Sequence, residues 1–319
     1  MITFPWMPVV PHDLLPILIL SAASTLSYNN SNNASSSTHL QHQHPPPQPQ
    51  FLPRHDEDNG ISRQLNSNPS SSNSANPPTV AHQIAYQADS VESVSISTYT
   101  APEPSPASID NDEDIQASVE AVSNDPEFQP KGYDAVLVAC FSVHPLVKQL
   151  AHSLKPTPVI GIFEASILTS LSLVPLVEKE NEKEQQQWGI VTTGAFWEAH
   201  LSDGVAAFLG QPLSQSISDY RFAGVYSTGL NAGDFHTISQ EQINVRLREA
   251  TKRLLSSGNV TCVVMGCGGM GGLQDMIRDI IVQEYGRDRA KDVSIVDGVQ
   301  AGVLQLQQTV LSRRVFGVE

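Results

Sequence analysis

Asp134–Cys140 reads DAVLVAC and Thr261–Cys267 reads TCVVMGC. Each is a short, unbroken apolar run of the kind a strand buried on both faces requires. Both end in a cysteine. The first run passes through the turn Phe141–Pro145, the second through a glycine-rich stretch, and a helical pattern follows each. Pro145 suits the first position of a helix, where its missing N–H has no partner to lose. Second apolar runs come next, Pro158–Phe163 (PVIGIF) and Val293–Val296, leading to the acids Glu164 and Asp297. Strand, cysteine, helix, strand, acid thus occurs twice. The repetition predicts an α/β protein with two similar Rossmann-like (flavodoxin-like) lobes, parallel sheets related by a pseudo-two-fold axis, and the active site in the cleft between them.

Working outward, Ile17–Leu20 reads as the first buried strand and Val94–Tyr99 (VSISTY) as the second. Ser108 is expected to open a helix whose first turns carry Asp110, Asp112, Glu113 and Asp114, where the helix dipole favours negative charge. That acidic run is read as a solvated helix start rather than a metal cluster. Trp188–Thr193 and Arg221–Tyr226 read as strands, with a helix near Glu198–Leu209 between them. Ser239 and Gln242 have capping-box spacing, Ile243, Leu247, Ala250 and Leu254 form the buried stripe, and Gly258 is expected to end that helix. The expected organisation is an N-terminal segment with the first strand (1–26), a Ser/Asn/Gln/His/Pro-rich disordered insert (27–90), a first lobe (91–177) and a charged linker (178–187). A second lobe (188–297) and a C-terminal helix returning to the first lobe (298–319) complete it.

Composition narrows the function. The 319 residues hold 33 Asp+Glu against 18 Lys+Arg, a net charge of −15, which argues against a nucleic-acid partner because phosphate backbones need clustered cations. Pro5, Pro8, Pro11, Asp13 and Pro16 break the N-terminal apolar stretch, which also lacks a basic start, so it reads neither as a secretion signal nor as a membrane span. A cytoplasmic protein is expected. Three cysteines without a C-x-x-C pair suggest neither a disulfide scaffold nor zinc, and His39, His42 and His44 of the polar insert read as solvated filler.

Cys140 and Cys267 both fall at carboxyl ends of strands, where parallel sheets bind ligands, and just before helices whose N-terminal dipoles are expected to lower a thiol pKa. Gly268, Gly269, Gly271 and Gly272 would let a substrate approach backbone donors. Cys262, at the start of its strand, reads as core. A thiolate on one side of a carbon α to a carbonyl and a thiol on the other could invert its configuration without metal or pyridoxal phosphate. His144, Glu164 and His236 are further candidates around this pair, each with a structural explanation of comparable weight.

The segments YDAVLVACFSVHPLV, PVIGIFEAS, WGIVTTG, RFAGVYSTGL, VVMGCGGM and IVDGVQAG together resemble the Asp/Glu/hydantoin racemase superfamily, and within it the hydantoin/allantoin racemase-like branch. The resemblance implies a cofactor-independent racemase or epimerase with Cys140 and Cys267 as its acid/base pair. Thr192, Thr193, Phe141, Ser142, Gly268 and Gly269 are implied substrate contacts. The substrate would be a small molecule such as a hydantoin, allantoin or an amino acid, and a homo-oligomer is compatible with the family. Ser21-Ala22-Ala23-Ser24 stands where the family has an Asn-Pro-Asn motif. Two other readings stay open: a cysteine-dependent isomerase or decarboxylase on the same fold, and a non-catalytic small-molecule-binding protein on a racemase scaffold.

Overall fold

A computed structural model describes residues 15–21, 94–174, 185–211 and 221–317. The polar insert with its histidines, and most of the expected linker, lie outside these residues. The first sheet contains β1 (Leu15–Ser21), β2 (Val94–Thr100), β3 (Ala135–Val138) and β4 (Val159–Gly161) in the order β2-β1-β3-β4, all parallel. The second contains β5 (Gln186–Thr192), β6 (Phe222–Ser227), β7 (Asn259–Gly266) and β8 (Ser294–Asp297) in the order β6-β5-β7-β8, again all parallel. Each sheet therefore repeats the same connection pattern, which gives the two lobes their pseudo-symmetry. Gln186 and Gln187 belong to β5 rather than to a linker, because they pair with Asn259 and Val260 of β7.

Local chemistry sets the helix boundaries. In α1 (Asp112–Asn124) the cap is Asn111, whose side chain accepts the Asp114 N–H at 2.9 Å. The helix therefore starts later than Ser108 and leaves Asp110 outside it. Pro145 opens α2 (Pro145–Ser153), and α3 (Ile162–Leu173) follows β4 directly. Beyond β5 come α4 (Phe196–Phe208), the short α5 (Asp234–Thr237) and α6 (Gln240–Ser256). The Ser239/Gln242 capping box is formed at the start of α6. Gly258 does not close α6; Ser257 is its C-cap, and a side chain at Gly258 would collide with that of Gln187. After β7 follow α7 (Gln274–Tyr285), α8 (Arg287–Ala290) and the long α9 (Gly298–Phe316), which ends at left-handed Gly317.

Packing joins the two sheets. One buried cluster runs from Leu137 and Val138 of the first sheet through Ile162, Phe163 and Ile167 of α3 to Trp188, Ile190, Cys262 and Val264 of the second. Side chains of this kind contribute roughly 1.5–3 kcal/mol each when fully buried. Cys262 is wholly buried, its sulfur 3.6 Å from the Ser170 hydroxyl of α3. The α9 helix leaves the end of β8 and packs against α3 and β3. Gly302 permits the approach, since a Cβ there would strike the Leu137 side chain. No described helix is long and apolar enough to cross a membrane.

Candidate active site

Cys140 follows β3 and Cys267 follows β7, and both are part-buried free thiols. A Cβ on Gly268 would lie 3.6 Å from the Ala139 carbonyl oxygen, so residues flanking the two cysteines meet across the lobes. The sulfurs are near enough for charge on Cys267 to act on Cys140.

Each thiol has its own neighbours. Cys140 Sγ is 3.3 Å from the Ser142 hydroxyl. Cys267 Sγ accepts the Gly269 N–H at 3.3 Å, as the cap of a single 3-10 turn, Gly268–Met270. Helix starts were expected to lower the thiol pKa values, but the opposite holds. Burial pushes Cys140 up to about 12, with the charges of Cys267 and Glu164 adding to it against the Ser142 hydrogen bond. Burial likewise pushes Cys267 up to about 11, helped by the charge of Asp110 and opposed by the N–H groups of Gly269 and Met270. Desolvation of a compact anion outweighs the few donors supplied here.

Two ties from the first lobe reach the second beside this pair. Asp110 Oδ1 accepts the Ala232 N–H at 3.2 Å, and Asp112 Oδ1 lies 3.6 Å from His200 Nδ1 of α4. Asp110 is also near enough for its charge to act on Cys267. It was hidden within an acidic run that reads as a helix start.

Residues 68–306 match the family described as Asp/Glu/Hydantoin racemase. The chain belongs to the Asp/Glu/hydantoin racemase family. An uncharacterized protein of Schizosaccharomyces pombe is 31% identical over 184 residues, which span 58% of this chain and 66% of the relative. The hydantoin racemase of a Pseudomonas species is 26% identical over 203 residues, spanning 63% of this chain and 69% of that enzyme. Among solved structures, the allantoin racemase from Klebsiella pneumoniae superposes with a TM-score of 0.58 at 17% identity, covering 93% of this chain and 88% of its own. That likeness is one of fold.

Within the racemase fold several expected contacts serve the protein itself. The Phe141 ring is buried edge-on against Phe163, centroids 5.6 Å apart. Ser142 is wholly buried, its hydroxyl beside the Cys140 thiol. Thr192 is buried and donates to the Gly266 carbonyl at 2.8 Å, tying β5 to the residue before Cys267. Thr193 is also buried, its carbonyl accepting from the Gly229 N–H and the Thr228 hydroxyl. The N–H groups of Gly269, Met270 and Gly271 are taken by Cys267 Sγ, Cys267 O and Gly268 O. One donor of this turn, the Gly269 N–H, is thus given to the cysteine sulfur.

His144 is structural. Its Nδ1 accepts the Leu146 N–H at 3.3 Å as the cap of α2, and its Nε2 stands 3.0 Å from the Ser118 hydroxyl. Ser118 in turn donates to the Ile115 carbonyl, so Nε2–H must be the donor to Ser118. Burial lowers the His144 pKa to about 4 and keeps the ring neutral. Glu164 and Asp297, expected at equivalent strand ends, are not equivalent: Asp297 closes β8, whereas β4 closes at Gly161 and Glu164 lies within the following helix. Asp297 caps α9 through the Val299 and Gln300 N–H groups, whereas Glu164 sits inside the first turn of α3 with Oε2 buried and without a partner. His236 lies in α5, its side chain outside the described residues, as are Ala22, Ala23 and Ser24 of the segment replacing Asn-Pro-Asn.

Proposed function

We propose that this chain is a cofactor-independent racemase or epimerase acting on a carbon α to a carbonyl, with a hydantoin- or allantoin-like compound as substrate. The observation that supports the reading is that two part-buried thiols follow β3 and β7, with the Gly268 position next to one lying 3.6 Å from the Ala139 carbonyl next to the other. The thiolate of one cysteine takes the α-proton, and the electron pair moves onto the carbonyl oxygen. The thiol of the other returns a proton to the opposite face, which leaves the first cysteine protonated and the second as thiolate.

High thiol pKa values suit this chemistry. An α-proton next to an amide carbonyl is weakly acidic, and a thiolate in a partly dry site is a stronger base than one in water. Mutual repulsion between Cys140 and Cys267 opposes double ionisation, so once one thiol ionises the other stays protonated, one base beside one acid. Helices α2 and α4 start just beyond β3 and β5, and the positive ends of their dipoles favour charge developing on the substrate oxygen. Hydantoin substrates are favoured over amino acids by the Pseudomonas hydantoin racemase relative.

Optical rotation tests the reading. A single enantiomer of allantoin or of a 5-substituted hydantoin should lose its rotation with the wild type. Cys140→Ser and Cys267→Ser should each slow the loss by about 100-fold or more. Wild-type protein that leaves every such substrate optically unchanged would sink the proposal.

A further inference from the structure

The last helix is apolar on two sides. Val299, Val303, Leu306 and Val310 of α9 are buried in the core. Five residues further along, about 140° around the helix axis, Leu304, Gln308, Leu311 and Val315 repeat the same spacing on the outer side. Three of these four are large apolar residues open to solvent, Leu304 at 48%, Leu311 at 51% and Val315 at 60%. Isolated exposed leucines are ordinary. A row spaced four, three and four residues apart is not, because that is the repeat by which one helix packs along another. The helix holds no Asp or Glu, in a chain with 33 such residues and a net charge of −15. Its two charges are engaged with their own chain: Arg313 donates to the Pro156 carbonyl, and Arg314 lies 4.0 Å from Asp134.

We propose that the outer row of α9 is a self-association surface, on which a second copy of this chain docks through its own α9, the two helices antiparallel about a two-fold axis. The inference goes beyond the racemase reading and does not depend on it. Spacing identifies the occupant. Four, three, four reads the same from either end, so the row is complementary to its own reverse. Leu304 then meets the second copy's Val315, and Gln308 meets the second copy's Leu311. An isologous contact of this kind closes on itself and stops at the dimer. Charge points the same way. A strongly acidic chain repels its copy over most of its surface, but this helix has no acid and its arginines are already partnered. The antiparallel arrangement also keeps Arg313 and Arg314 of the two copies at opposite ends of the pair, whereas a parallel one would bring them together. Gln308 interrupts the apolar row, and a single polar residue in such a seam lowers affinity while fixing register. Four residues a side make a small contact, below the roughly 1,200 Å² at which stable complexes begin, so the dimer should form reversibly at micromolar concentration.

Sedimentation velocity of the full chain between about 1 and 100 µM tests this. Wild type should move from monomer towards dimer over that range and go no further. Leu311→Glu sets a charge in the row and should weaken the dimer by about 100-fold or more, leaving a monomer. Its thermal midpoint at the lowest concentration should not change, because Leu311 is already half exposed in the single chain. Gln308→Leu, which completes the apolar row, should tighten the dimer by about tenfold. A wild type that stays monomeric throughout, a dimer untouched by Leu311→Glu, or assembly growing beyond two copies overturns the proposal. So does a fall in the midpoint of dilute Leu311→Glu, which would mean that a segment of the same chain covers the row.

Discussion

The carbonyl oxygen of Ala139 lies 3.6 Å from the point a Cβ on Gly268 would occupy, so a methyl group there would be in ordinary van der Waals contact with the backbone beside Cys140. That spacing admits a methyl group and little more. Gly268→Ala should therefore fold and keep most activity. Gly268→Ile should force the strand ends apart and cut kcat/KM by about 100-fold, the usual cost of a shift near 1 Å at reacting groups. Steady-state polarimetry on both variants checks the contrast.

Thr192 gives a second prediction. Its buried hydroxyl donates to the Gly266 carbonyl, the residue before Cys267. Thr192→Val keeps the shape and removes the donor, so it should cost about 1–3 kcal/mol of stability in urea denaturation. Thr192→Ser should recover most of that loss.

How much of this was legible in the sequence follows from the kind of signal each residue gives. Ala135–Val138 and Cys262–Met265 are apolar on both faces, the pattern of a strand within a covered parallel sheet, so the lobes and the strand-end cysteines could be read directly. Residues whose roles depend on distant partners could not. Asp110 meets Ala232 of the other lobe, and nothing in its neighbourhood along the chain announces that. His144 follows a cysteine closely and so resembles a catalytic neighbour, but Ser118 and the Leu146 N–H claim both its nitrogens. The thiol pKa values were misjudged in sign for the same reason: helix starts are local and visible, whereas burial by the opposite lobe is neither.

The buried state of His144 predicts a pH dependence. Its pKa falls from the usual 6.5 to about 4 on folding. Above pH 6.5 the ring is neutral in both states and the favourable packing is fully present. As pH falls from 6.5 towards 4, the unfolded chain gains a proton that the folded one refuses, and stability should decline by roughly 3 kcal/mol. Urea midpoints measured between pH 7 and 4 should show that slope, and His144→Asn, a substitution that retains a capping side chain, should flatten it.

Gly302 tests the docking of the C-terminal helix. Gly→Ala in an exposed helix gains up to about 1 kcal/mol, but here the added Cβ would strike Leu137. Gly302→Ala should therefore destabilise, by about 1–3 kcal/mol, as expected for overpacking a tight contact. A gain in thermal midpoint would mean that α9 does not press on β3 in solution.

The most direct test follows the α-hydrogen itself in heavy water. With wild type, either enantiomer of a racemised hydantoin should exchange its α-hydrogen for deuterium. Cys140→Ser should keep wash-in from one enantiomer and lose it from the other, and Cys267→Ser should show the mirror pattern, because each sulfur serves one face. Equal residual exchange from both enantiomers in each variant would contradict a division of labour between these two residues.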